Sequence, residues 1–217
     1  MASPSRCIGR RRAVGSFAVA LTLFIAAMWT AQYLRSSWLG AMVLAGAVLG
    51  GSALTRPGWN VRPHGSLVRM LFWCSLLSAS GIAAAVILAT THIALPYTPA
   101  KIQVLSVLPR MVALVATEEL LFRQVMYRWL ETHMDSASLT MTFTALAFGL
   151  AHLGPAFDPG SPLRLFTVLQ AAYLILIGGL LGELRRISGS WLISSIGHLI
   201  YNLSPLVALM LITPSRP

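Results

Sequence analysis

The sequence predicts an all-α fold: a polytopic bundle of about seven transmembrane helices, with the N-terminus inside and the C-terminus outside. Three observations lead there. First, of the 217 residues 56% are hydrophobic and 10% charged, with a mean hydropathy of +0.74, whereas soluble domains carry about 25% charged residues. Disordered chains are charge-rich and apolar-poor, so the same figures exclude disorder. Second, the apolar residues fall into runs close to the roughly 20 residues that a spanning helix needs. Third, the basic residues gather between those runs, mostly on one side.

The runs cover about 13–34, 37–55, 70–95, 102–122, 137–153, 163–184 and 190–212. Breakers separate them. Gly50-Gly51 and Arg56-Pro57-Gly58 close the second, and Pro96 and Pro99 stand between the third and fourth. Gly154-Pro155 ends the fifth, Pro159 to Pro162 opens the sixth, and Ser188-Gly189-Ser190 divides the last two. No internal repeat and no low-complexity linker interrupts the chain, so 1–217 reads as a single membrane domain.

With the N-terminus in the cytoplasm, eleven basic residues lie on the cytoplasmic side and four on the outer side, leaving Arg110 inside a span. That bias is the positive-inside rule, and it accounts for the net charge of +10 without any nucleic-acid partner. The first run is read as an uncleaved helix, because it is too long for a signal-peptide core and no A-x-A site follows. Cys7 and Cys74 share no metal-binding or redox spacing.

Ionisable side chains at membrane depth cost roughly 2.5–3.5 kcal/mol each on insertion scales, so each one needs a reason. Glu118 and Glu119 end the fourth apolar run, His152 closes the fifth and His198 lies inside the seventh. Glu119 and Arg123 are four apart on one helix and can neutralise one another. Glu118 is turned about 100° away and stays free for other work. His198 and Asn202 share a helix face, as do Phe148 and His152. The fourth and fifth runs form a hairpin turning near His133–Asp135, which levels Glu118 with His152. If both helices extend past the membrane into the cytoplasm, as Arg123, Arg128, Glu131 and Asp135 suggest, His198 joins that level.

One carboxylate, two imidazoles and an amide at one depth suit hydrolysis. A carboxylate paired with histidine can act as general base on water and then protonate a leaving amine. A histidine and an asparagine can donate to the oxyanion of a tetrahedral intermediate. Glu118, His152 and His198 are equally the ligand types of a catalytic zinc site, and spacing alone leaves both chemistries open.

The runs Glu118-Glu119-Leu120-Leu121-Phe122-Arg123, Phe148-Gly149-Leu150-Ala151-His152 and His198-Leu199-Ile200-Tyr201-Asn202 read EExxxR, FxxxH and HxxxN. In that order, on successive helices, they resemble the three motifs of the CAAX-protease and bacteriocin-processing (CPBP, or Abi) family of intramembrane proteases, which includes the type II CAAX prenyl endopeptidase. The resemblance spans about residues 100–212, which makes 101–212, spans four to seven, the catalytic core and 1–100, spans one to three, accessory. It implies that Glu118 and His152 activate water, that His198 and Asn202 stabilise the oxyanion, and that Glu119 and Arg123 form a supporting pair. The family has been described both as metalloproteases and as glutamate-dependent proteases, so the cofactor is open; zinc is the metal that the donor set would take.

The expectation is therefore an intramembrane endopeptidase in a bacterial inner membrane, its site opening towards the cytoplasm. It would cleave a membrane-associated protein or peptide, and its partners are that substrate and the lipid bilayer. Arg outnumbers Lys fifteen to one, as a GC-rich bacterial genome would give. The rival reading is a non-catalytic scaffold or a proton-coupled carrier, since buried Glu and His also build proton relays. No inverted repeat supports a carrier, and a carrier gives no reason for Asn202 one turn after His198. Phe148 is read as packing and the Gly178, Gly179 and Gly182 cluster as close helix packing, while Arg110 has no assigned role.

Overall fold

A computed structural model of the chain describes residues 22, 25, 26, 29, 46, 50, 63, 65–91, 104–134, 136–157 and 160–212. Apart from isolated positions, the predicted spans 13–34 and 37–55 lie outside the described residues, as do residues 92–95 of the third. Among those isolated positions, Trp29 donates its indole N–H to the Leu150 carbonyl at 3.2 Å and packs its ring against Phe157.

All regular structure among the described residues is helical. Helix α1 covers Leu67–Thr90 and α2 covers Val104–Glu119. The backbone of α2 continues through a π-helical stretch, Leu120–Met126, into α3, Tyr127–His133. Helix α4 is Ala137–Ala151, followed by a 3₁₀ turn at Gly154–Phe157. The last two helices are α5, Arg164–Ser188, and α6, Trp191–Ile212. Helices α1, α5 and α6 are long and apolar enough to cross a membrane, while α4, at 15 residues, is apolar but shorter.

The boundaries follow local chemistry. Ser136 accepts the Leu139 N–H at 3.3 Å and caps α4. Gly189 ends α5 at φ 69°, the left-handed conformation in which its N–H reaches back to the Arg185 carbonyl. The predicted hairpin turn near His133–Asp135 falls between α3 and α4. The helix from Val104 to His133 is longer than the predicted span 102–122, because Tyr127, Leu130 and the π-helical residues find a buried seat.

Helix α1 lies against α6, and α4 against α5. Small residues allow both close approaches. A Cβ on Gly81 would sit 2.7 Å from the Tyr201 carbonyl oxygen, and one on Gly178 would sit 3.0 Å from the Cα of Ala145. Gly179, by contrast, faces open space, so within the predicted glycine cluster the tightest contact belongs to Gly178. Ser78 and Ser204 bridge α1 and α6 at 2.8 Å, and the Tyr173 hydroxyl ties α5 to the Ser80 carbonyl at 2.6 Å. Replacing Gly81 by leucine is expected to wedge α1 from α6 and lower stability by about 1–3 kcal/mol or more. Thermal unfolding of the detergent-solubilised protein measures it, and an unchanged midpoint would contradict the close contact.

The core includes Leu77, Leu121, Phe122, Val125, Leu130, Phe148, Leu174, Ile177, Leu181 and Leu184. The outward faces are apolar as well: Val68 is 76% exposed and Leu211 82%. Large apolar side chains displayed on the outside of a helical bundle belong in hydrocarbon, which makes this an integral membrane protein.

Candidate active site

The site forms where α2 runs into the π-helical stretch. A π turn widens the helix and is often found at functional sites. Here it begins directly after Glu118 and Glu119, and Leu121 to Met126 are all buried, polar Arg123 and Gln124 included.

The two adjacent glutamates point into different surroundings. Glu119 is fully buried, with Oε2 3.5 Å from Nε of Arg123 and 2.6 Å from the Ser194 hydroxyl that donates to it. Its Oε1 accepts from Nδ1 of His198 at 3.0 Å. Arg123 is equally buried; it donates to the Gly178 carbonyl at 3.3 Å and lies 4.8 Å over the Phe148 ring, a cation–π contact. Arg185 then donates Nε–H to the Arg123 carbonyl at 3.1 Å. These contacts tie the start of the π stretch to α5 and α6.

Glu118 faces the two imidazoles instead. Its Oε1 lies 4.0 Å from Nε2 of His152 and its Oε2 3.8 Å from Nε2 of His198. Nδ1 of His152 is 2.7 Å from the Phe148 carbonyl, which can only accept, so Nδ1 carries the hydrogen and Nε2 is left to face Glu118. The Nδ1 of His198 is likewise occupied by Glu119, so its free Nε2 also turns to Glu118. Phe148 holds both rings, with centroids 4.9 Å from His152 and 5.5 Å from His198. The expected packing role of Phe148 is what these contacts describe.

Glu118, His152, His198 and Asn202 line one cavity of about 710 Å³, walled mainly by apolar side chains of α1, α2, α5 and α6. Arg110 lines it too. The four residues assigned to chemistry are therefore brought together, and the supporting pair sits behind them.

Sequence reasoning missed Ser194 and Arg185. Ser194 stands four residues before His198, so SxxxH spacing on α6 was available as a signal. Arg185 is, by sequence, one of the eleven basic residues on the cytoplasmic side, yet it is 3% exposed. Removing the Ser194 hydroxyl leaves one carboxylate oxygen short of a donor. Ser194→Ala is expected to lose about 1.5–3 kcal/mol of stability, the range for hydrogen bonds to charged groups. Chemical denaturation in mild detergent checks this, and a loss below half a kcal/mol would show that Arg123 alone satisfies Oε2 of Glu119.

The donor types at Glu118, His152 and His198 suit zinc. Ligands sharing a tetrahedral zinc stand roughly 3.3 Å apart, whereas the separations here are 3.8 and 4.0 Å. Among the described residues no group of three or more His, Cys, Asp or Glu is placed to hold a metal ion. The spacing is wider than a shared metal requires and suits a bridging water.

Residues 100–204 match the family model described as Type II CAAX prenyl endopeptidase Rce1-like. This segment is similar to that family. The match covers just under half of the chain and encloses every motif position from Glu118 to Asn202. Neither the curated proteins nor the solved structures give a match. The Rce1-like proteins are a protease family, which supports a peptidase within an integral membrane protein and agrees with the resemblance carried by the three motifs.

Proposed function

We propose that the protein is an intramembrane endopeptidase that hydrolyses a peptide bond of a membrane-associated protein or peptide by activating water with Glu118 and His152. The observation that carries this reading is the gap between the Glu118 carboxylate and the two Nε2 atoms, 4.0 and 3.8 Å. Both are too long for a direct hydrogen bond and suit one bridging water.

In this mechanism the water donates to Glu118 and is aligned by Nε2 of His152. Glu118 takes its proton as the oxygen bonds to the scissile carbonyl carbon. His198, held at Nδ1 by Glu119, turns its Nε2 side to the oxyanion as a donor, with the Asn202 amide as second donor. Collapse of the intermediate breaks the C–N bond, and Glu118 returns the proton to the leaving amine. The buried Glu119–Arg123 pair acts by fixing His198. The cavity opens towards the cytoplasmic side in this reading, following the distribution of basic residues.

The test is mass spectrometry of membrane-protein termini in cells carrying wild type, Glu118→Ala or His152→Ala, with folded levels matched. New termini near membrane segments in wild type alone support the protease. If no terminus depends on either residue, the scaffold or carrier reading takes its place. Purified enzyme treated with 1,10-phenanthroline decides the metal: retained activity leaves water activation to Glu118 and His152, and loss reversed by zinc transfers it to an ion.

A further inference from the structure

Glu118, His152, His198 and Asn202 carry the mechanism, and it leaves the carboxamide of Gln170 unused. Gln170 is exposed on α5, where Phe166, Leu169, Gln170, Tyr173 and Leu174 form the helix face that lines the cavity. The Tyr173 hydroxyl is committed to the Ser80 carbonyl, whereas among the described residues no hydrogen bond holds Gln170. Close packing of α4 on α5 fixes its depth. A Cβ on Gly182 would lie 3.6 Å from Met141, and one on Gly178 3.0 Å from Ala145. One on Gly149 would lie 2.6 Å from the Ala171 carbonyl oxygen and 3.1 Å from the Ile175 nitrogen. The two helices are thus antiparallel in a steady register, each step up one matched by a step down the other. Three residues beyond Gly149, His152 comes level with Gln170 and Ala171. Gln170 therefore lines the same cavity at the depth of the water-activating histidine. A carboxamide in an apolar wall calls for hydrogen-bond partners, and it offers an acceptor oxygen beside an NH₂ donor. In an extended chain the N–H and C=O of one residue point to the same side, so a single carboxamide can meet both.

Resting on the hydrolase reading above, we infer that Gln170 is a substrate-binding residue whose carboxamide grips the main-chain N–H and C=O of one residue beside the cleaved bond. The grip holds the substrate extended across the water between Glu118 and His152. An extended chain advances about 3.3 Å per residue, so a shared level with His152 places the gripped residue within about two positions of that bond. The contact reads main chain and not side chain, which makes the site tolerant of sequence and selective for extended segments with a free N–H. Proline, which has no N–H, is excluded from the gripped position.

Ester substitution in the peptide tests this with the full chain in lipid nanodiscs. The probes are fluorescent Ala/Leu decapeptides in which the N–H of one residue at a time, outside the cleaved bond, is replaced by an ester oxygen. Hydrolysis is read with a quenched form of each probe, and binding by fluorescence anisotropy on Glu118→Gln, with and without Gln170→Leu. Against the wild-type enzyme, one ester within two residues of the bond is expected to raise KM about five- to ten-fold, the size of one main-chain hydrogen bond. Gln170→Leu should raise the KM of the all-amide probe at least as much and abolish the effect of that one ester. The effects of the other esters and the thermal midpoint should not change, which a merely structural role for Gln170 would not give. A probe that binds with this pattern and is not cleaved upholds the Gln170 contact and counts against the hydrolase; one that is cleaved without the pattern does the reverse. The inference is overturned if every ester costs Gln170→Leu what it costs wild type, or if Gln170→Leu binds the all-amide probe within two-fold of wild type. Failure of every probe to bind overturns it as well, because a grip on main chain alone does not depend on sequence.

Discussion

Glu118→Ala is expected to lower kcat by about 10²–10⁴-fold, the range attributed to a positioned general base, without a comparable loss of stability. The two halves of that expectation have separate physical grounds. Glu118 lies 3.8 and 4.0 Å from its imidazole neighbours, so it makes no direct short hydrogen bond to either ring. Removing it deletes one acceptor from the cavity and leaves the neighbouring Glu119–Arg123–Ser194 contacts in place. Glu118→Gln is the sharper variant, because it keeps shape and polarity while removing the ability to take a proton. Turnover of a cleaved peptide, measured beside the thermal midpoint of each variant, checks both halves. A Glu118→Gln enzyme within three-fold of wild type would remove the carboxylate from the chemistry. Asn202→Ala should cost about 10²–10³-fold if its amide meets the oxyanion, and should leave the midpoint close to wild type because Asn202 lines the cavity.

The all-helical membrane class was legible because composition alone enforces it: with 10% charged residues the chain cannot cover itself against water. The site was legible for a related reason. Glu118, Glu119, His152 and His198 are costly in apolar runs and therefore conspicuous, and helical periodicity orders them on faces. Both fail where the determinant is three-dimensional. The π-helical stretch has no sequence signature in Leu120–Met126, since widening is decided by the packing of six successive buried residues from Leu121 onward. Ser194 escaped notice because serine is inexpensive in a membrane helix; its meaning comes from the glutamate on another helix. Gly178 and Gly179 are indistinguishable as letters, yet one meets Ala145 and the other nothing. The predicted burial of the Glu119–Arg123 pair could be argued from spacing, but that His198 leans on the same carboxylate could not, because 79 residues separate them.

That shared carboxylate gives the second large effect. Glu119→Ala is expected to destabilise the protein by about 3–5 kcal/mol, the cost of leaving a buried charge without its partner. Arg123, fully buried, would lose the carboxylate that faces its Nε and retain a carbonyl and an aromatic face. Activity should fall with it, since His198 loses the acceptor that holds Nδ1 at 3.0 Å and thereby aims Nε2. Arg123→Ala should destabilise to a similar degree through the mirror-image defect. Replacing both residues together by a pair of neutral apolar side chains removes the uncompensated charge, and the double variant is expected to be less destabilised than the sum of the singles. Its activity should nonetheless stay low, because no carboxylate remains behind His198. A double-mutant cycle read by denaturation and by turnover separates these outcomes. Recovery of stability without recovery of turnover assigns Glu119 as a positioning residue for His198. Recovery of both would reduce the pair to a packing element, and additive losses would mean that Glu119 and Arg123 do not interact where the 3.5 Å separation puts them.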